Sequence, residues 1–227
     1  ITNNQVTNVG EGGSARSSIY LQNLSGNGAC SGTGSVVVQG NTVTSGYGWG
    51  INVDVENSCI DNNTVTGKQS GIHISGPGYS NAQSNNNIIS NNVVTSSTND
   101  GIRILSDNNI IDSNTSNGSQ YDSGFLIDNR SQNNIITNNV ANNNAQYGFE
   151  FEQDGATGGS HAGHTFTGNP ASGNSLGDFE GITISNVDLA FPDENHNDTD
   201  GSGFVRTQPD GAPTFTPGLT GFYIQTL

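Results

Sequence analysis

The sequence predicts an all-β fold: a right-handed single-stranded parallel β-helix of about seven coils, followed by an irregular C-terminal segment. Three observations carry this expectation. An aliphatic-x-x-Asn pattern recurs along the chain. A small residue followed by two apolar residues flanking a variable one alternates with it. Neither pattern recurs at the 8–12-residue spacing of roughly hairpin-built sandwiches.

The first pattern falls at Ile1/Asn4, Val38/Asn41, Ile60/Asn63, Ile89/Asn92, Ile111/Asn114, Ile136/Asn139 and Phe166/Asn169. Its Asn residues are 37, 22, 29, 22, 25 and 30 positions apart. Asn tolerates a left-handed backbone and bonds its own main chain at turns. Its amide both donates and accepts, so a column of Asn, one per coil, satisfies itself.

The second pattern reads Ser18-Ile19-Tyr20-Leu21, Gly50-Ile51-Asn52-Val53, Gly71-Ile72-His73-Ile74 and Gly101-Ile102-Arg103-Ile104. It continues with Gly124-Phe125-Leu126-Ile127, Gly148-Phe149-Glu150-Phe151 and Gly181-Ile182-Thr183-Ile184. Alternation at period two makes a short half-buried strand. The preceding Gly is expected to supply a bend with positive φ. One coil cannot bury its apolar face alone, so stacking makes the core.

The Asn-Ile-Ile-x-x-Asn-x-Val … Gly-Ile-x-Ile pattern resembles the parallel β-helix repeat of the pectate-lyase-like superfamily, over residues 1–187. That resemblance implies the fold. It leaves the activity open, because solenoids host many functions.

Composition narrows the function. Only 30% of the 227 residues are hydrophobic, 32 are Gly and 34 are Asn, so the core is narrow and built from a few aliphatic positions per repeat. The formal charge is −15, with Lys68, Arg16, Arg103, Arg130 and Arg206 as the cations. Nucleic acid is excluded as a partner, since counterion release needs clustered cations. No apolar run approaches the roughly 18 residues of a membrane span. An acidic, nearly Lys-free surface fits a halophilic habitat, divalent-cation binding or an ordinary acidic secreted protein. The start at Ile1, with no signal peptide and no Met, reads as a mature or trimmed product located outside the cell or on a cell or virion surface. Cys30 and Cys59, the two cysteines, form either one disulfide or two buried thiols.

Uneven repeat spacing predicts loops, the longest between Asn4 and Asn41, with others at residues 77–87 and 155–164. Residues 188–227 hold Pro192, Pro209, Pro213 and Pro217 and read as a cap or docking segment. The strand-like end, residues 221–227, offers a route to self-association, as do the coil ends. Six glycosylation sequons begin at Asn23, Asn62, Asn114, Asn117, Asn129 and Asn197.

The middle residues of the second pattern point outward: Tyr20, Asn52, His73, Arg103, Leu126, Glu150 and Thr183. The next outward column is Gln22, Asp54, Ser75, Leu105, Asp128, Glu152 and Ser185. Together they are expected to form one exposed face that gathers Asp54, His73 and Arg103. A lyase or C5-epimerase needs a cation to neutralise a uronate carboxylate and a base for the C5 proton. Arg103 and His73 fit those roles, with Tyr20 as acid and Asp54 beside them. Asn52, Asp128, Glu150 and Glu152 are the candidate glycan contacts. The last three are also candidate carboxylates for a glycosidase. Against catalysis, no Asp-Pro-His occurs and no acidic cluster accompanies Arg103 in sequence. Asp193, Asn195, Asn197, Asp198 and Asp200 alternate as oxygen ligands suited to Ca²⁺, without the closing Glu of an EF-hand.

The reading that results is an acidic extracellular recognition or structural rod (adhesin, virion fibre or filament subunit) that contacts glycans. A polysaccharide lyase, epimerase or glycosidase is the alternative. An ice binder would want a flat Thr or Asn array, and the mixed columns above do not provide one.

Overall fold

The structure is a computed structural model. It describes residues 1–9, 17–32, 34–76, 84–129, 131–152 and 163–181, together with the backbone of strands Val187–Ala190, Phe204–Arg206 and Phe222–Ile224. Three parallel sheets of seven strands each wrap a single core. A representative coil runs through Thr64–Thr66 in the first sheet, Ser70–Ile74 in the second and Ile88–Ser90 in the third. The next coil then begins at Val93–Thr95. Each strand pairs in parallel with its counterpart one coil away, as in Ile72↔Ile102↔Phe125. The third sheet also takes in Val187–Ala190, paired with His164–Thr167, so the coil rhythm runs past residue 187.

Asn-Asn pairs explain the corner between the third and first sheets, because the two residues divide the labour. The first takes the left-handed conformation, as at Asn62, Asn91 and Asn138 with φ of 53°, 54° and 56°. The second turns inward and is buried, as at Asn63, Asn92 and Asn139. The Nδ2 of Asn63 donates to Asn92 Oδ1 at 2.9 Å, and Asn92 repeats this to Asn114 at 2.9 Å. The ladder extends from Asn4 to Asn169.

Two further ladders occupy the other corners. Ser58, Asn87, Asn109, Asn134 and His164 form one, through contacts such as Asn109 Nδ2 to Asn134 Oδ1 at 3.2 Å. Ser119, Asn144 and Asn174 form the other. Lys68 stands at the N-terminal end of this last column. It is fully buried, and its ammonium donates to the carbonyls of Val9, Ser45 and Tyr47 at 2.9, 3.1 and 3.2 Å.

The glycines before the second-sheet strands act differently from expectation. Gly50, Gly71, Gly101, Gly124 and Gly148 do not have positive φ. They face inward, where a Cβ would meet a first-sheet side chain and the carbonyl of the next coil. At Gly71 those contacts would be Val94 Cγ1 at 2.2 Å and Gly101 O at 2.7 Å. Close packing, rather than a bend, therefore selects Gly here.

Core volume is conserved coil by coil. The first sheet's inward residues run Val43, Val65, Val94, Ser116, Ala141, Ala171. Their second-sheet partners in the same coils run Ile51, Ile72, Ile102, Phe125, Phe149, Phe179. Phe enters where the facing residue shrinks, so the cross-section stays filled. Phe125 and Phe149 stack at 4.7 Å, and Phe166 of the third sheet meets Phe149 edge-on at 5.1 Å.

Cys30 and Cys59 are bonded, which ties the long first insertion to the strand Ser58–Asp61.

Candidate functional site

The second sheet carries the outward columns. Register places Tyr20, Asn52, His73, Arg103, Leu126 and Glu150 on successive rungs, as the alternation requires. The seventh rung is Glu180, not Thr183. The strand there is Gly177–Glu180, which turns only Phe179 inward and so lacks the usual apolar pair. Thr183 and Ser185 lie outside the described residues.

The expected open face is largely closed. Asn52, Asp54, His73, Ser75, Leu105 and Asp128 all point away from the core, yet all are buried. Tyr20 is exposed, while Arg103, Glu150, Glu152 and Glu180 are half-buried. His73 and Arg103 are rung partners, and Asp54 stands on the strand paired with that of His73. Asp54 Oδ2 accepts from the Tyr20 hydroxyl at 3.0 Å. Burial, then this carboxylate, raises the Tyr20 pKa. His73 is held by Asn52 and Trp49. Its Nδ1 lies 3.0 Å from Asn52 Oδ1, and its ring stacks on the Trp49 indole at 4.3 Å with planes 3° apart. An amide oxygen only accepts, so Nδ1 carries the proton and the lone pair sits on Nε2. Burial, assisted by Arg103, lowers the His73 pKa to about 3, and the imidazole is neutral at physiological pH.

Arg103 has acidic company that the sequence does not reveal. Asp100 belongs to a third column, three residues before the one that holds Arg103. That column includes Trp49 and Ser70 as rung partners, then Asp100, Ser123 and Tyr147. Each member directly precedes an inward Gly, which breaks the alternation, and its place before that Gly is the signal the sequence offers. Asp122 joins from the turn before Ser123. Its Oδ1 accepts from Gln146 Nε2 at 3.0 Å, and Glu150 Oε2 accepts from Ser123 Oγ at 2.6 Å.

Burial raises the carboxyls of Asp100, Asp122 and Glu150 above their ordinary values. Asp100, at 4% exposure, rises to about 7 through burial and its neighbours Asp122 and Glu150, against the pull of Arg103. Glu180, Glu152 and Asp122 add to the rise at Glu150. Carboxyls pushed upward in one cluster make this face the candidate site.

Among the described residues, no group of three or more His, Cys, Asp or Glu is arranged to hold a metal ion. The expected calcium ligands Asp193, Asn195, Asn197, Asp198 and Asp200 lie outside the described residues. No described helix is long and apolar enough to cross a membrane.

Three parallel sheets joined at their corners by stacked polar ladders define a parallel β-helix. The chain belongs to the right-handed β-helix region family, whose model matches residues 27–189. Among solved structures it is similar to the periplasmic alginate epimerase AlgG. The two are 20% identical with a TM-score of 0.54, over 68% of this chain and 38% of that one. A double mutant of the same epimerase is 17% identical with a TM-score of 0.53, over 84% of this chain and 47% of that one. The chain thus spans less than half the length of AlgG, and the likeness is one of fold. No curated protein sequence matches the chain.

Proposed function

We propose that this protein is an extracellular or surface-located recognition rod that lays a polysaccharide along its second sheet. The observation that supports this most is the half-exposed set of Arg103, Asp122 and Glu150 beside Tyr121, which is 68% exposed. Planar polar groups next to an aromatic ring offer hydrogen bonds to hydroxyls and a face for a sugar ring to rest on. The sealing of His73 and Asp54 speaks for binding over turnover, since a base must reach the proton it takes. The test is binding of a panel of acidic, neutral and basic oligosaccharides to the intact chain. Saturable binding weakened by Arg103→Ala or Glu150→Gln is expected. Binding unchanged by both would move the site elsewhere, and none at all would end the reading.

A second reading is C5 epimerisation or lysis of a uronate polymer. It is favoured by the neutral imidazole of His73 one rung from Arg103, and by the fold shared with an alginate epimerase. Release of unsaturated uronates, or C5 proton exchange, that His73→Ala abolishes would establish it. Self-association is a separate proposal. Sedimentation that shifts with concentration, and no longer does so after deletion of 217–227, would support it.

A further inference from the structure

The first sheet carries a surface of a different kind. Thr44, Thr66 and Thr95 are rung partners in one outward column, and Thr42 and Thr64 are partners in the column beside it. Val93 follows Thr64 there, and Thr115 follows Val93. Val keeps the outline of Thr, with a methyl where Thr has its hydroxyl. Thr64 is exposed and the other five threonines are half-buried. The pairing runs in unbroken register from Gln5 to Asn142, whereas the second sheet shifts between Gln22 and Ser25. The Asn63–Asn92–Asn114 ladder follows one border of this sheet, and Ser119, Asn144 and Asn174 follow the other. Side-chain ladders of this sort hold a sheet flat against its natural twist. β-branched side chains are stiff at χ1, and the Thr66 and Thr95 hydroxyls bond each other at 3.0 Å, so the surface is ordered before anything binds.

Spacing and composition decide what such a surface fits. Rungs repeat about every 4.8 Å, and outward residues within a strand about every 6.6 Å. The prism face of hexagonal ice repeats its oxygens at close to the first spacing along one axis and close to the second across it. A hydroxyl has one donor and two acceptor positions, so the Thr66–Thr95 bond leaves both groups able to bond water. The methyls between them order water without bonding it. A charged group would gather a hydration shell of its own and break the match, and the two columns hold none. Other occupants lack their usual anchors here. A sugar ring wants an aromatic face, and a protein partner wants Trp, Tyr or Arg at the centre of the contact.

We infer that the first sheet is an ice-binding face, with Thr42, Thr44, Thr64, Thr66, Thr95 and Thr115 in register with the lattice. This activity stands apart from glycan recognition, which uses the second sheet.

The experiment grows ice slowly from a solution of the intact chain. It measures the share of protein taken into the crystal and the gap between freezing and melting points. The parent should enter the ice and open that gap. Thr64→Tyr and Thr95→Tyr each raise bulk above the array, and each should be excluded from the ice and close the gap. Ile135→Tyr sets the same bulk on the third sheet, at a residue 43% exposed, and should behave as the parent does. Melting by circular dichroism checks the fold of each variant, and exposed Thr64 carries the test if Thr95→Tyr melts early. Exclusion of the parent from ice would overturn the inference. Uptake that neither Thr variant reduces would overturn it as well. Dimers that Thr64→Tyr dissociates, or cosedimentation with crystalline cellulose, in place of ice uptake would hand the array to a second copy or a polysaccharide and overturn it too.

Discussion

The first and second sheets are built on the same coils, yet they present opposite surfaces. On the first sheet one outward column reads Thr7, Thr44, Thr66, Thr95, Asn117, Asn142, Ser172. The column beside it reads Gln5, Thr42, Thr64, Val93, Thr115, Val140. Neither holds an ionisable residue, and neighbours bond to each other, as Thr66 and Thr95 do at 3.0 Å. On the second sheet the rungs differ from Tyr20 to Glu150, and carboxyls, guanidinium, imidazole and indole are packed together. Repetition serves the coil itself, because like side chains on adjacent rungs satisfy one another. Variation costs that mutual support and makes room for specific contacts. The hydroxyl array that the mixed columns do not provide lies on this first sheet.

That contrast can be broken or sharpened by substitution. The largest effect is expected in the core that both sheets share. Phe149→Ala should destabilise by about 3–5 kcal/mol in denaturant titration. Ala141→Val alone should cost about 1–3 kcal/mol by overpacking. Combining Ala141→Val with Phe149→Ile should recover most of either loss, because the pair would then match the Val65/Ile72 coil. Additive losses would refute the volume exchange between the sheets.

Lys68→Met comes next. It leaves the carbonyls of Val9, Ser45 and Tyr47 without their donor, at a cost on the order of 3 kcal/mol. An unchanged melting temperature would show that the ammonium is not needed at that corner. Asn114→Ala should cost about 1–3 kcal/mol by interrupting the ladder between Asn92 and Asn139. Thr95→Ala, on the repetitive face, should stay within roughly 0.5 kcal/mol.

A separate effect is one of pH. Asp61 and Asp112, on the third sheet, each accept three side-chain hydrogen bonds that hold their pKa values below the ordinary range. Their contribution is present above the unfolded-state pKa and is lost as pH falls through the folded one. Asp100 runs the other way. Its folded pKa of about 7 exceeds its ordinary 3.8, so stability declines as pH rises between those values. Melting temperature should therefore peak at mildly acidic pH. Asp100→Asn should flatten the decline toward neutrality and leave the acid limb untouched. An unaltered profile would remove Asp100 as its source.

The fold was legible because its signals are local and repeated. The Ile-x-x-Asn and Gly-Ile-x-Ile patterns set corner and strand, and their order forced parallel stacking. The second and third ladders were hidden because Ser58, His164 and Ser119 stand in for Asn in some coils. The site was legible only in part. Alternation gave the direction in which His73 and Asp54 point, but burial depends on what lies over the sheet, and no period encodes that. Asp100 escaped notice because it stands outside the Φ-x-Φ unit, and Glu180 because its strand keeps a single apolar residue.

The buried ammonium of Lys68 makes the chain its own reporter. It is the only lysine in the sequence, and its amine is sealed by the two coils before it. An acylating reagent can modify that side chain only when those coils part. The rate of its labelling therefore measures the opening of the N-terminal end of the rod, one coil boundary at a time, while the rest remains wound.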